Sequence, residues 1–278
     1  ISTWQSIYKM PRKYFEQFGC VIGDEAHMFK AKSLTGIMTK LHQCKYRFGL
    51  TGTLDGSQTH KLVLEGLFGT AEKVVSTKEL IDKKTLANLK IKCIVLKHPT
   101  RKERMTYAEE MDYIVSREFR NNFILDLCNT ISGNTLCLFQ LVEKHGKILY
   151  DGMKGSENVY FVYGGTDTEQ REKIRGLVEG HTKSTTIASY GTFSTGINIR
   201  NINNIVLASP SKSKIRVLQS IGRGLRTSST KDSILIFDIA DDISYGERRN
   251  FTLNHFFERI NIYNEEQFNY EISKVKIK

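Results

Sequence analysis

Proline is scarce: three residues in 278, with no run of Pro, Gly or Ser among the 21 glycines. A collagen-like, low-complexity or linker-dominated chain is thereby excluded. No apolar stretch approaches the roughly 20 residues of a membrane span, so no membrane partner is expected. The five cysteines, Cys20, Cys44, Cys93, Cys128 and Cys137, are odd in number and scattered. They form no Cys-x-x-Cys and no Cys/His quartet with zinc spacing, which argues against a disulfide framework and against a structural zinc. Reduced, buried thiols in a cytoplasmic protein are the expectation. Also missing are an initiator methionine and, at Ile1-Ser2-Thr3-Trp4, the basic and apolar segments of a secretory leader. The sequence reads as a piece of a longer chain.

What is present is ordinary globular material with a charge bias. Hydrophobic residues make up 40% and charged ones 26%, enough for a real core and two medium domains. The formal charge is +11. Residues 1–92 hold 15 basic and 8 acidic side chains, and residues 93–278 hold 26 and 22, so the excess is densest in the first third. A basic balance favours a polyanionic partner, nucleic acid being the commonest, while a merely solvated basic surface has the same composition.

The chain is organised around Gly19-Cys20-Val21-Ile22-Gly23-Asp24-Glu25-Ala26-His27, a short apolar run that stops on two adjacent carboxylates. A buried parallel strand reads this way when acidic side chains are delivered at its C-terminal end, where ligands bind in open α/β sheets. Asp24 suits Mg²⁺ as a hard oxygen ligand. Glu25 suits the orientation or deprotonation of a water attacking a phosphoryl group. The alternative is a strand followed by a helix N-cap and an acidic first turn.

Residues 3–18 read as two short helices broken at Pro11, and residues 31–43 as an amphipathic helix. Residues 46–53 read as a strand running into Thr51-Gly52-Thr53, a polar turn whose hydroxyls can tie two segments together near the acidic pair. Residues 57–68 read as a helix, 91–96 as a strand and 101–131 as one long helical stretch. From there, strands at 135–140, 158–163, 185–190, 204–208 and 233–238 alternate mostly with helices, Asp167 capping one of them. A terminal amphipathic helix is expected over 245–260. Alternating β and α with apolar strands means an α/β fold, its parallel sheet covered on both faces.

Two later stretches carry further chemistry. In residues 211–226, a serine cap precedes Arg216, Gln219, Arg223 and Arg226, spaced to share one helical stripe. Ile215, Leu218, Gly222 and Leu225 make the neighbouring stripe, expected to pack on the sheet. Each mid-helix glycine costs about 1 kcal/mol against Ala, which points to a close backbone approach or a frayed end. A row of guanidiniums suits planar, bidentate phosphate recognition; a solvated basic face is the alternative. Residues 191–199, Gly-Thr-Phe-Ser-Thr-Gly-Ile-Asn-Ile, follow a strand and read as a polar loop on the ligand-binding edge.

Together these stretches resemble the motif series of the superfamily 2 helicases. Asp24-Glu25-Ala26-His27 matches the DEAH-type Walker B motif. Thr51-Gly52-Thr53 stands where motif III belongs, though many relatives have Ser-Ala-Thr. Residues 191–199 resemble motif V, with Asn198 where many relatives have Asp, and residues 219–226 match the motif VI pattern Q-x-x-G-R-x-x-R. Order and spacing agree over nearly the whole chain. The resemblance implies two RecA-like parallel-sheet domains: residues 1–92 as the C-terminal part of the first, and residues 93–278 as the second. It implies ATP and Mg²⁺ as cofactors, with Asp24 holding the ion and Glu25 activating water. Arg223 and Arg226 would be arginine fingers, with Gly196 and Asn198 lining the nucleotide side. His27 and Gln219 would couple the nucleotide and DNA sites, Thr51 and Thr53 would transmit closure, and Thr195 would touch a strand phosphate.

The activity so implied is that of an ATP-dependent DNA helicase or translocase, a monomer acting on branched or single-stranded DNA or RNA–DNA hybrids in recombination, repair and replication. A DEAH-type RNA helicase and a non-catalytic nucleic-acid clamp of helicase ancestry are the alternatives. There is one departure from the family pattern. The phosphate loop Gly-x-x-x-x-Gly-Lys-[Ser/Thr] occurs nowhere in the 278 residues. It is expected upstream of Trp4, the first domain being incomplete at its N-terminus, and this piece alone is expected to bind ATP poorly and not to turn it over.

Overall fold

The chain divides between Val74 and Val75 into two units, each with its own sheet. The computed structural model describes residues 1–29, 31–52, 54, 58–99, 105–196, 199–211, 213–225, 231–246 and 248–277. The first unit runs α1 (Trp4–Ile7), α2 (Arg12–Phe15), β1 (Cys20–Gly23), a 3₁₀ turn (Ala26–Met28), α3 (Lys32–Lys40), β2 (Tyr46–Gly49) and α4 (Gln58–Phe68). Pro11 sits at the N-cap of α2, where its missing N–H and fixed φ are harmless. β1 and β2 are parallel, with Ile22 opposite Phe48 and Gly23 opposite Gly49. A core built on Phe15, Phe29, Leu34, Met38 and Leu64 holds this unit together.

The expectation of a buried first strand is corrected here. The sheet has two strands, and Ile22 on one is 64% exposed and Phe48 on the other 52%. Register places these two side by side on one face, which is left bare among the described residues. Cys20, on the same face, is exposed, whereas the other four thiols are buried as expected; all five are free.

The second unit runs α5 (Thr77–Asp82), β3 (Asn88–Lys97), α6 (Tyr107–Ser116), α7 (Glu118–Thr130), β4 (Asn134–Phe139), a π turn (Val142–Gly146), α8 (Lys147–Gly152), β5 (Val159–Val162), α9 (Thr168–Gly180), β6 (Ser184–Ser189), α10 (Tyr190–Gly196), β7 (Ile202–Leu207), α11 (Lys214–Gly224), β8 (Ser233–Asp242), α12 (Phe251–Glu265) and β9 (Tyr270–Lys276). Seven strands form one all-parallel sheet in the order β5-β6-β4-β7-β8-β3-β9. Side chains from α9, α10, α11 and α12 cover one face and those from α7 and α8 the other. This is the expected parallel sheet with two covered faces. Asp167 caps α9 as read, its Oδ1 accepting from Gln170 N at 2.7 Å.

Several boundaries differ from expectation, and the terminal helix expected over 245–260 runs Phe251–Glu265 and is followed by β9. A division after residue 92 would cut β3, which pairs along its whole length with β8 and along most of it with β9, so it falls at 74/75 instead. The stretch read as one helix over 101–131 is two, because Arg117 takes an extended conformation (φ −74°, ψ 113°) between α6 and α7; residues 101–104 lie outside the described residues. Residues 191–196, read as loop, continue α10, which packs Tyr190 and Phe193 into the core.

Candidate active site

In the first unit the acidic turn grows directly out of the sheet. Leu50 N donates to Gly23 O at 2.9 Å and Ala26 N to Leu50 O at 2.8 Å, so the two strand ends stay paired as they leave the sheet. Glycine at both ends has a steric reason. A Cβ on Gly23 would lie 2.9 Å from Phe29 Cζ, and one on Gly49 2.9 Å from Phe68 Cγ. These two rings pack edge to face, 5.0 Å between centroids, underneath the turn.

Asp24 Oδ1 accepts from Glu25 N at 2.9 Å. Glu25 is left-handed (φ 49°, ψ 49°) and its side chain makes no capping hydrogen bond, which removes the N-cap alternative for this carboxylate. A non-glycine residue held there costs about 1 kcal/mol or more, strain of the kind that collects at functional sites. Glu25 Oε2 lies 3.2 Å from His27 Nδ1, and the same nitrogen lies 3.0 Å from Thr51 Oγ1. His27 is buried and Glu25 half exposed. The expected tie between the acidic pair and the threonine turn therefore exists, and His27 makes it. Thr53 lies outside the described residues.

Among the described residues no group of three or more His, Cys, Asp or Glu is arranged to hold a metal. Asp24 offers a carboxylate to an ion, with water or a ligand as sources of further oxygens. That fits Mg²⁺, which is held by one or two carboxylates together with substrate phosphates.

In the second unit, α10 and α11 start at the C-terminal ends of β6 and β7. Ser213 caps α11, its Oγ accepting from Arg216 N at 3.3 Å. Arg216 lies over the ring of Tyr190 at 5.5 Å and Arg223 over that of Phe193 at 5.8 Å, so α10 supplies aromatic seats for two arginines of α11. Gln219 and Arg223 are partly exposed. Of the expected buried stripe, Leu225 is buried, Leu218 packs partly buried against the core, Gly222 is exposed and the side chain of Ile215 lies outside the described residues; Val217 and Ile221 are buried as well. The glycine under close approach is Gly224, where a Cβ would overlap Ile234 Cδ1 and lie 2.7 Å from Ile205 Cδ1; Gly222 has open space. Gly196 closes α10. Asn198, Arg226 and the side chain of Thr195 lie outside the described residues.

Sequence reasoning missed a set of buried polar groups behind α11. Asp241 pairs with Arg120 and His98, and Asp238 with Arg259 and Tyr263. Burial opposes ionisation of Asp241, but the Arg120 guanidinium and the His98 hydrogen bond outweigh it and hold the carboxyl at about 2. Burial, and then the charge of Arg120, push His145 down to about 3. Against its own burial, Asp238 holds Arg259 above its ordinary range. The available signal was Ile236-Phe237-Asp238-Ile239-Ala240-Asp241, an apolar strand twice interrupted by acid.

Residues 118–228 match the helicase conserved C-terminal domain family, covering α7 through α11. In this stretch the chain is similar to that family. Along its full length the chain is 35% identical, over 295 aligned residues, to the ATP-dependent DNA helicase UvsW of Enterobacteria phage T4, of which it covers 59%. It is 24% identical to a putative ATP-dependent RNA helicase of Acanthamoeba polyphaga mimivirus, covering 93% of this chain and 51% of that one. The chain thus spans a little over half the length of these relatives. The crystal structure of T4 UvsW superposes with a TM-score of 0.60 at 33% identity, over 99% of this chain and 57% of that one. A fragment of a putative HsdR subunit of a type I restriction enzyme from Vibrio vulnificus gives 0.72 at 15% identity, over 98% and 51%, a likeness of fold alone. The seven-stranded parallel sheet is thus the RecA-like α/β fold expected from the motifs. No helix among the described residues is long and apolar enough to cross a membrane.

Proposed function

We propose that the chain is the greater part of the motor of an ATP-dependent DNA helicase or translocase of the superfamily 2, UvsW-like kind. The observation that carries this reading is Glu25: a strained, half-exposed carboxylate that caps nothing and is tied through buried His27 to Thr51. Mg²⁺-ATP, when bound, would supply the scissile phosphoanhydride. Asp24 contributes a carboxylate oxygen to the ion. Glu25 orients the attacking water and takes its proton. His27 holds Glu25 in place and passes any change there to Thr51, and Thr53 belongs to the same turn. Arg223 and Arg226 meet the γ-phosphate charge that grows in the transition state, as planar guanidiniums suit. Gly196, Asn198 and Gln219 line the nucleotide side, and Thr195 contacts a strand phosphate. Branched DNA, recombination intermediates and RNA–DNA hybrids are the substrates that a UvsW-like motor suggests, worked on by a monomer.

DNA is favoured by the more similar relative's name and RNA by the mimiviral one, so the substrate arms decide between them. The assay is ATP hydrolysis by the longest chain that contains these 278 residues, with branched DNA, single-stranded DNA or RNA added. The expected result is strongest stimulation by branched DNA, with E25Q lowering kcat by about 10²-fold or more at retained nucleotide binding. Full activity in E25Q would remove the role of Glu25. Absence of any nucleic-acid-stimulated hydrolysis in the wild type would leave the clamp reading. The 278 residues alone hold no phosphate loop and are expected to be inactive; turnover by them at an intact helicase's rate would overturn that expectation.

A further inference from the structure

The turn from β7 into α11 has three of its carbonyls held by buried side chains from three different helices. Arg120 of α7 donates from Nη2 to Ala208 O at 2.7 Å. Tyr190 of α10 donates to Ser209 O at 3.0 Å. Arg259 of α12 donates from Nη1 to Ser211 O at 3.0 Å. None of the three donors is more than 3% exposed. Ser209 Oγ adds a fourth tie, accepting from Gln140 N at 3.1 Å and lying 2.9 Å from His145 Nδ1.

Each arginine has its own aspartate on β8. Arg120 meets both oxygens of Asp241, through Nε at 2.7 Å and Nη2 at 2.9 Å. Arg259 meets Asp238 at 2.7–3.0 Å, and Tyr263 OH donates to the same carboxylate at 2.8 Å. Successive strand residues point to opposite faces, so Asp238 and Asp241 stand on opposite sides of the sheet. The turn is gripped from both sides. At its far end α11 is held too: buried Lys231 donates from Nζ to Gly224 O.

Net stability is a poor reason for this arrangement. Buried ion pairs exchange for apolar groups of similar volume with little loss and sometimes a gain. Apolar groups cannot, however, donate to a turn carbonyl at a set distance and direction. We propose that Arg120 and Arg259 are positioning residues, which set the place of α11 along its axis and hence the reach of Gln219 and Arg223. The catalytic consequence rests on the proposed function; the positioning itself does not.

The test uses two variants of the same long chain. R120K keeps a charge beside Asp241, but one ammonium cannot match the fork that spans two carboxylate oxygens and Ala208 O. R120M combined with D241L removes the pair and keeps the volume. The readouts are cooperative unfolding, amide hydrogen exchange and steady-state ATPase. Both variants are expected to unfold cooperatively, with the amides of Val217–Leu225 exchanging about tenfold faster and those of β4 and β6 unchanged. The kcat should fall about tenfold, with the KM for ATP altered less than about twofold. Wild-type exchange in α11, uniform acceleration through the sheet, or failure of R120K to fold cooperatively would each overturn the proposal, the last two by making Arg120 a structural residue only. If the wild type shows no ATPase, the proposed function falls and the exchange pattern alone decides this one.

Discussion

Glu25 and His145 show two ways in which a fold sets the chemistry of a side chain. Glu25 is aimed by backbone strain and by one histidine, and stays half exposed. His145 is enclosed and kept neutral by burial and by Arg120. Because its folded value, about 3, lies below the ordinary 6.5, its stabilising contribution is whole above pH 6.5 and is lost as pH falls toward 3. Asp241 has the same sign lower down, its contribution being lost as pH falls from about 4 through 2. Unfolding temperatures should therefore drop between pH 7 and 5, and H145Q should flatten that drop, since an amide can still meet Ser209 and does not titrate in this range. Thermal scans at four or five pH values read this directly. Equal slopes for variant and wild type would show that His145 is not the titrating group.

Helix α11 is where sequence pattern and packing disagree most usefully. Arg216, Gln219 and Arg223 lie on this helix, and its buried side adds Val217 and Ile221 to the expected Leu225, each contributing about 1.5–3 kcal/mol on burial. Gly224 is the point of closest approach to the sheet, while Gly222 looks into open space. Alanine at the two positions should have opposite effects. G224A forces Ile234 and Ile205 aside and should destabilise by about 1–3 kcal/mol. G222A meets nothing and gains helix propensity, so it should be neutral or stabilising by up to about 1 kcal/mol. Denaturant titration of the two variants measures both signs. A destabilised G222A would mean that the exposed side of α11 is covered in solution.

At the level of the whole molecule the two units differ in how far their sheets are covered. The second has seven strands with helices on both faces. Among the described residues the first has two strands and a bare face carrying Ile22 and Phe48, and a two-stranded sheet is marginal by itself. Residues 75–278 expressed alone should unfold in one cooperative transition, and residues 1–74 alone should show none by circular dichroism or calorimetry. A sharp transition in the short piece would mean that its helical core suffices without cover for the sheet.

The acidic pair, the strand before it and the arginine row were legible in the sequence, because apolar runs ending on charge and three-four spacing are local patterns. So was the alternation of β and α in the second unit, since strand burial on both faces forces continuous apolar runs. The helical character of residues 191–196 was not legible, because Tyr190 and Phe193 look like isolated aromatics until a sheet exists to receive them. Nor was the division at 74/75, which depends on β3 finding β8, 145 residues away. By itself the sequence determined which chemical groups are present and in what order. Only the tertiary structure decided that His27 would join Glu25 to Thr51, and that Arg120 and Arg259 would close on one turn from opposite faces of a sheet. Those contacts join residues up to 88 positions apart, and their direction comes from the packing of whole layers, which no local pattern encodes.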